Sequence, residues 1–235
     1  GSMLAHEHYQ GGRHVFPMMK AKIKKEVIFD KYPDVKVGIV DWPMSDLRLI
    51  SKNSLALISL GSKIIDFWDR YSDQDRQITA FDGKTRHHTV TPIMHRDGEK
   101  FVLDLVLRDN NTSDKYPLGI FHPHSELWHI KKENIGLIEV MGRAILPGRL
   151  KKELEEVKKY LLDENNEIAK SHLAWAQEIK ANHQITSENV DSILQQALVE
   201  VFDQVLECAG VFKNNENGEA GWQKFTEALV SEVDR

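Results

Sequence analysis

Cysteine is nearly missing from this 235-residue chain: Cys208 stands alone, so no intrachain disulfide can form and the fold must rest on its apolar core. That usage fits a reducing compartment, and a cytoplasmic location is expected. Long apolar runs are also lacking. The greasiest stretch, Leu55 to Ile65, is interrupted by Ser59, Gly61, Ser62 and Lys63, and falls short of the roughly 20 residues a membrane helix requires. A basic excess is lacking too: 31 Lys and Arg against 36 Asp and Glu give a formal charge of −5, which argues against nucleic acid as the main partner. Internal repeats and low-complexity tracts do not occur. What remains, 41% hydrophobic and 29% charged, is an ordinary soluble composition long enough for one large or two small domains.

The most informative feature lies near the start, in Leu4-Ala5-His6-Glu7-His8-Tyr9-Gln10-Gly11-Gly12. In an extended strand alternate side chains share a face, so His6, His8 and Gln10 would point one way. Two imidazoles and an amide in a row, followed by two glycines that let a ligand approach the backbone, suit a phosphate ester. One imidazole can act as nucleophile while the amide donates to a non-bridging phosphate oxygen. A surface strand with solvated histidines is the competing reading of the motif alone.

Alternation and helical spacing give a coarse map. Strands are expected at Ile23–Phe29, Val35–Val40 and Leu47–Ile50, and in a hairpin of residues 88–95 and 100–108 turning at Arg96-Asp97-Gly98. Asn134–Leu146 reads as a further strand pair or one bent strand. A helix is expected over residues 55–71, with Leu55, Ile58, Ile65, Trp68 and Tyr71 near one stripe. After Pro147 the period changes to 3.6: Leu150, Leu154, Val157 and Leu161 form one stripe, residues 168–179 continue helically, a helix carrying Val190 to Leu206 ends at Gly210, and a short last helix carries Trp222 to Val233. Strands first and helices last predict an α+β fold, an antiparallel sheet with packed helices and a helical C-terminal region.

The His-x-His-x-Gln spacing resembles the signature of the nucleotidyl-transferring branch of the histidine-triad superfamily. The HEHYQGGRH opening, Val35-Lys36-Val37-Gly38-Ile39-Val40-Asp41-Trp42-Pro43-Met44-Ser45 and the run His129-Ile130-Lys131-Lys132-Glu133-Asn134-Ile135-Gly136 through Gly142 resemble class II galactose-1-phosphate uridylyltransferases. The likeness runs from about His6 through the helical tail and covers the C-terminal half of that family's usual length. It implies a histidine-triad-like sheet. Residues 4–16 would be the last strand of a first repeat, 17–146 a second, non-catalytic repeat with Leu103-Asp104-Leu105-Val106-Leu107 where histidines would stand, and 147–235 a helical region. It also implies transfer of a uridylyl group between UDP-glucose and galactose 1-phosphate, with His8 as nucleophile, Gln10 on a phosphate oxygen, His6 positioning the strand and Gly11 and Gly12 leaving room for the nucleotide. Lys131 and Lys132 are candidates to face a sugar or nucleotide phosphate. No cofactor or metal is expected, and a homodimer is possible. Gly1-Ser2-Met3 reads as an expression scar, so the chain is expected to be part of a longer protein that folds alone without activity. A non-catalytic module that binds a sugar nucleotide or dimerises is the alternative.

Other polar groups carry weaker expectations. His122-Pro123-His124-Ser125-Glu126 superficially resembles the His-Pro-His-Gly-Gln run of class I enzymes, but Ser125 and Glu126 replace Gly and Gln, and a carboxylate there would repel a transferring phosphate. With His129 this loop is expected to serve structure or the substrate's edge rather than a metal. His87, His88 and His95 are expected at the surface, and His172 and His183 carry no argument. Arg143 is expected in solvent. Trp42, Trp68, Trp175 and Trp222 are expected as core or interface anchors, while Trp128 could stack on a sugar or base.

Overall fold

The computed structural model describes residues 9–235. Chain compactness divides it into two units. The first holds the described residues up to His122 together with Ile135–Arg143 and Leu206–Arg235; the second holds Pro123–Asn134 and Ala144–Val205.

The first unit opens with one helical turn, α1 (Pro17–Lys20), and continues with β1 (Ile23–Val27), β2 (Lys36–Val40) and β3 (Asp46–Ser51). Helix α2 (Ser54–Trp68) follows, then a small two-stranded ribbon, β4 (Phe81–Asp82) and β5 (Thr85–Arg86). The long hairpin β6 (His88–Asp97) and β7 (Lys100–Asp109) completes a five-stranded sheet in the order β1-β2-β3-β7-β6, with every pair antiparallel. The hairpin closes through Gly98, whose φ of +58° is the left-handed conformation such a tight turn requires. These strands follow the alternation read from the sequence because one face of the sheet must enter a core. Leu47, Leu49, Leu103, Leu105 and Leu107 do so, against Leu57, Leu60, Ile64 and Trp68 of α2.

Helix α2 starts where expected, because the Asn53 side chain accepts from the Leu55 and Ala56 amides at 3.1 and 3.2 Å. Its buried stripe, however, is Leu57, Leu60, Gly61, Ile64, Phe67 and Trp68, whereas Leu55 and Ile58 are exposed. The segment LALISL is apolar nearly all round, so two stripes could be drawn through it. Contact with Leu103, whose methyl lies 3.1 Å from where a Gly61 Cβ would sit, selects the observed one.

Helix α3 (Leu137–Val140) replaces the strand or strand pair expected over 134–146; that segment contains no strand. The Glu139 carboxylate turns back to accept the Gly136 amide at 2.9 Å, closing a helical turn, and Gly142 with φ +92° ends it. The apolar pattern is real but serves a buried turn. Tyr9–Phe16 likewise carries no strand, and residues 4–8 of that expected strand lie outside the described residues. Helix α7 (Glu216–Val233) is longer than the short helix expected, and its Trp222, Phe225, Leu229 and Val233 join the core beneath α2.

The second unit contains α4 (Leu150–Leu161), α5 (Lys170–Asn182) and most of α6 (Val190–Ala209). Val157, Leu161, Ala176, Ile179, Val190, Leu194 and Ala197 form its separate core. No strand occurs after Pro147, as the change of period predicts. Among the described residues no helix is long and apolar enough to cross a membrane.

Candidate functional site

His6 and His8 lie outside the described residues, so the geometry of the proposed site begins at its downstream edge. Gln10, Gly11 and Gly12 are exposed, outside any strand or helix. A Cβ added to Gly11 or Gly12 would meet nothing within 4 Å, so both positions leave the open space a ligand needs. Gly12, Arg13, His14 and Val15 then form one wall of a cavity of about 660 Å³ whose other walls include Arg48 and His95.

The floor of that region is the sheet face turned away from α2. Directly opposed residues of an antiparallel pair share a face, so Arg48 on β3 stands beside Asp104 on β7, and Ile50, Val102 and His95 form the next row. Arg48 Nε donates to Asp104 Oδ1 at 2.5 Å and Nη2 to Oδ2 at 3.2 Å, with Arg48 5% and Asp104 0% exposed. The remaining guanidinium donors reach backbone: Nη2 to the Met18 carbonyl at 2.8 Å and Nη1 to the Ala21 carbonyl at 2.7 Å. Asp46, two residues before Arg48 on the same face, is fully buried beside Asp104. Burial first, and the Asp104 charge second, push its carboxyl well above the usual carboxylate range. Burial likewise lowers His95. Asp104 is thus tied into a buried ion pair. The sequence contained a signal for it: one arginine and two aspartates inside the apolar alternations Asp46-Leu47-Arg48-Leu49 and Leu103-Asp104-Leu105.

Lys131 and Lys132 belong to the second unit. Lys131 is buried rather than solvated, its Nζ 4.0 Å from the Glu133 carboxylate. Lys132 is exposed, with Nζ 4.9 Å from the Trp128 ring centre. Trp128 itself donates to the Pro123 carbonyl at 2.8 Å, which fixes the indole within its loop. As expected, Pro123–Trp128 is a loop with one 3-10 turn, Ser125–Leu127. Among the described residues no three His, Cys, Asp or Glu side chains are grouped to hold a metal.

One histidine departs from expectation. His88 is buried: its ring stacks on Trp68 at 4.0 Å, Nδ1 lies 2.6 Å from the Trp68 carbonyl, and Nε2 lies 3.2 Å from Asp109. The carbonyl and the carboxylate hold the polar edge of the ring while its face packs on Trp68, which lets the ring serve as core. His172 is fully buried with Nε2 2.8 Å from Glu153, which also holds Arg149 at 2.6 Å. Arg149 in turn donates to the carbonyls of Trp128 and His129. Arg143 is exposed, and Trp68 and Trp222 are core, as expected; Trp42 donates to the Val140 carbonyl at 3.0 Å.

An antiparallel sheet backed by helices defines an α+β domain. The family model described as "Galactose-1-phosphate uridyl transferase, C-terminal domain" matches residues 1–177. The chain belongs to that family. It is 73% identical over 233 residues to galactose-1-phosphate uridylyltransferase of Lactobacillus helveticus, covering 99% of this chain and 48% of that protein. The corresponding proteins of Pediococcus pentosaceus and Streptococcus thermophilus are 56% and 54% identical over 229 and 228 residues, each covering 97% of this chain and 47% and 46% of theirs. The chain therefore spans about half the length of the curated relatives it matches. No solved structure matches it.

Proposed function

We propose that this chain is the C-terminal half of a cytoplasmic uridylyltransferase that exchanges a uridylyl group between UDP-glucose and galactose 1-phosphate. The observation that carries the reading is the family match across residues 1–177, which includes the His6-x-His8-x-Gln10 motif. In this mechanism a ring nitrogen of His8 attacks the α-phosphorus of UDP-glucose. A P–N bond forms, the P–O bond to glucose 1-phosphate breaks, and the imidazole carries the uridylyl group. A phosphate oxygen of galactose 1-phosphate then attacks the same phosphorus, the P–N bond breaks, and UDP-galactose leaves. Splitting the transfer this way gives ping-pong kinetics.

Gln10 donates to a non-bridging oxygen, His6 fixes the strand, and Gly11 and Gly12 keep the nucleotide's approach open. Lys131 and Lys132 are substrate-facing cations in this proposal. Residues 4–16 close a first histidine-triad-like repeat, residues 17–146 are a second repeat without catalytic histidines, and 147–235 are the helical region. Consistent with a scaffold role, Asp104 is engaged by Arg48.

The test is a uridylyltransferase assay on this chain beside the full-length protein. The chain should fold and show no turnover, because a nucleophile without the rest of its site loses the positioning on which such transfer depends. Comparable turnover of the two would overturn the two-repeat reading.

A further inference from the structure

Arg48 belongs to no part of the proposed chemistry, yet it is the most heavily engaged cation on the sheet. Its guanidinium divides between Asp104 and two carbonyls, Met18 and Ala21, at the end of the single helical turn α1. The Met18 carbonyl also accepts the Ala21 amide at 3.1 Å, so Arg48 reinforces the closure of the turn and satisfies the Ala21 carbonyl just beyond it. The same turn is held from other sides. The Met18 side chain is wholly buried, the Met18 amide donates to the Met141 carbonyl at 3.2 Å, and Pro17 packs so near Gly142 that a Cβ there would lie 3.1 Å from it and 2.7 Å from Trp42.

Upstream the chain is different in kind. Gln10–Val15 is exposed and irregular, and runs along the cavity whose floor contains Arg48. From Gln10 to Met18 is eight residues, a reach of about 28 Å at full stretch. Without the mooring at α1, the next fixed point is Ile23 on β1, and the tether grows to thirteen residues, about 45 Å.

We infer that Arg48, seated on Asp104, is a positioning residue for uridylyl transfer. It moors the segment that leaves the His6–Gln10 motif to the second repeat and so fixes the distance at which the nucleophile is presented. This rests on the proposed role of His8. An ion pair serving only stability could be exchanged for apolar side chains of similar volume; an apolar side chain cannot donate to two backbone carbonyls. The charged pair is therefore explained by the mooring.

The experiment uses the full-length protein and UDP-glucose labelled in the uridine, and follows formation of the protein adduct. R48K keeps a cation beside Asp104 but lacks the planar fork that reaches Asp104 and both carbonyls. R48M/D104L removes both charges together. In each variant adduct formation should slow about 10- to 100-fold, the order expected when a reacting group is misplaced by an ångström or so. The KM for UDP-glucose should move less than threefold, and the hydrogen-bonded amides of Met18, Met19 and Ala21 should exchange faster. R48K decides the matter whether or not the double variant folds: a folded R48K protein with the wild-type rate of adduct formation would overturn the inference. H8G run in parallel separates the two ideas. An adduct that persists in H8G defeats the nucleophile assignment, whereas loss in H8G with full rate in R48K defeats the mooring alone.

Discussion

Replacing Arg48 by Met in this chain should be among the most damaging single changes to the sheet unit. The substitution leaves the Asp104 carboxylate, 0% exposed, without its bidentate partner and next to the buried Asp46 carboxyl. Breaking a buried pair by removing one partner costs about 3–5 kcal/mol. Losing the donors to the Met18 and Ala21 carbonyls adds to this. Against a domain stability of roughly 5–15 kcal/mol, that is about a fifth of the total or more. Urea denaturation read by tryptophan fluorescence measures it. A W128F/W175F background removes the indoles of the second unit and leaves Trp42, Trp68 and Trp222 in the first. With a slope of about 2.5 kcal/mol/M, the midpoint should fall by about 1.5 M. R48M/D104L should recover most of that loss, because no uncompensated charge remains and only the donors to the Met18 and Ala21 carbonyls are missing. A single variant that loses less than 1 kcal/mol, or a double variant as damaged as the single, would refute the account of this pair.

Two further outcomes follow from buried titratable groups. Asp46 is raised by burial, so the native state holds a proton that the unfolded chain gives up; its contribution is complete below the unfolded-state pKa and is lost as pH rises through the folded one. The Tm of D46N minus that of wild type should therefore grow from pH 4 to pH 8, and a flat difference counts against a protonated Asp46. Lys213 donates to the Glu207 and Cys208 carbonyls at the end of α6, and burial lowers it to about 8. Between pH 8 and 10.5 the unfolded chain binds the extra proton, so wild type should gain stability relative to K213M by roughly 3 kcal/mol; denaturation midpoints of the two at pH 8 and pH 10.5 measure the gain.

Where an element buries one face of alternating or helical spacing, the sequence alone located it. Strands β1, β2, β3, β6 and β7 and helices α4, α5 and α6 stand close to their expected bounds, because each presents its apolar residues with a period of two or 3.6. Where apolar residues lack a single period, composition misled. Ile135 to Val140 is apolar without alternation and forms a buried turn closed by Glu139, and the all-round apolar start of α2 concealed which stripe faces Leu103. Histidines were the hardest to place, since the partners that bury His88 and His172 are Asp109, 21 residues away, and Glu153, 19 residues away. The proposed nucleophile was drawn from the spacing of His6, His8 and Gln10 alone. The mooring of the motif's exit by Arg48 was not legible there, because the contact depends on β3 pairing with β7 in one register.

The central claim, that His8 of the full-length protein carries the uridylyl group, is tested most directly by locating the adduct. The full-length protein is incubated with UDP-glucose labelled in the uridine, without galactose 1-phosphate, then digested under alkaline conditions that preserve a phosphoramidate and sequenced by mass spectrometry. The account predicts one uridylyl group per site, on the peptide containing His6 to Arg13 and borne by His8, released as UDP-galactose when galactose 1-phosphate is added. An adduct on the peptide bearing His122 and His124, or full turnover with no covalent adduct, would contradict it.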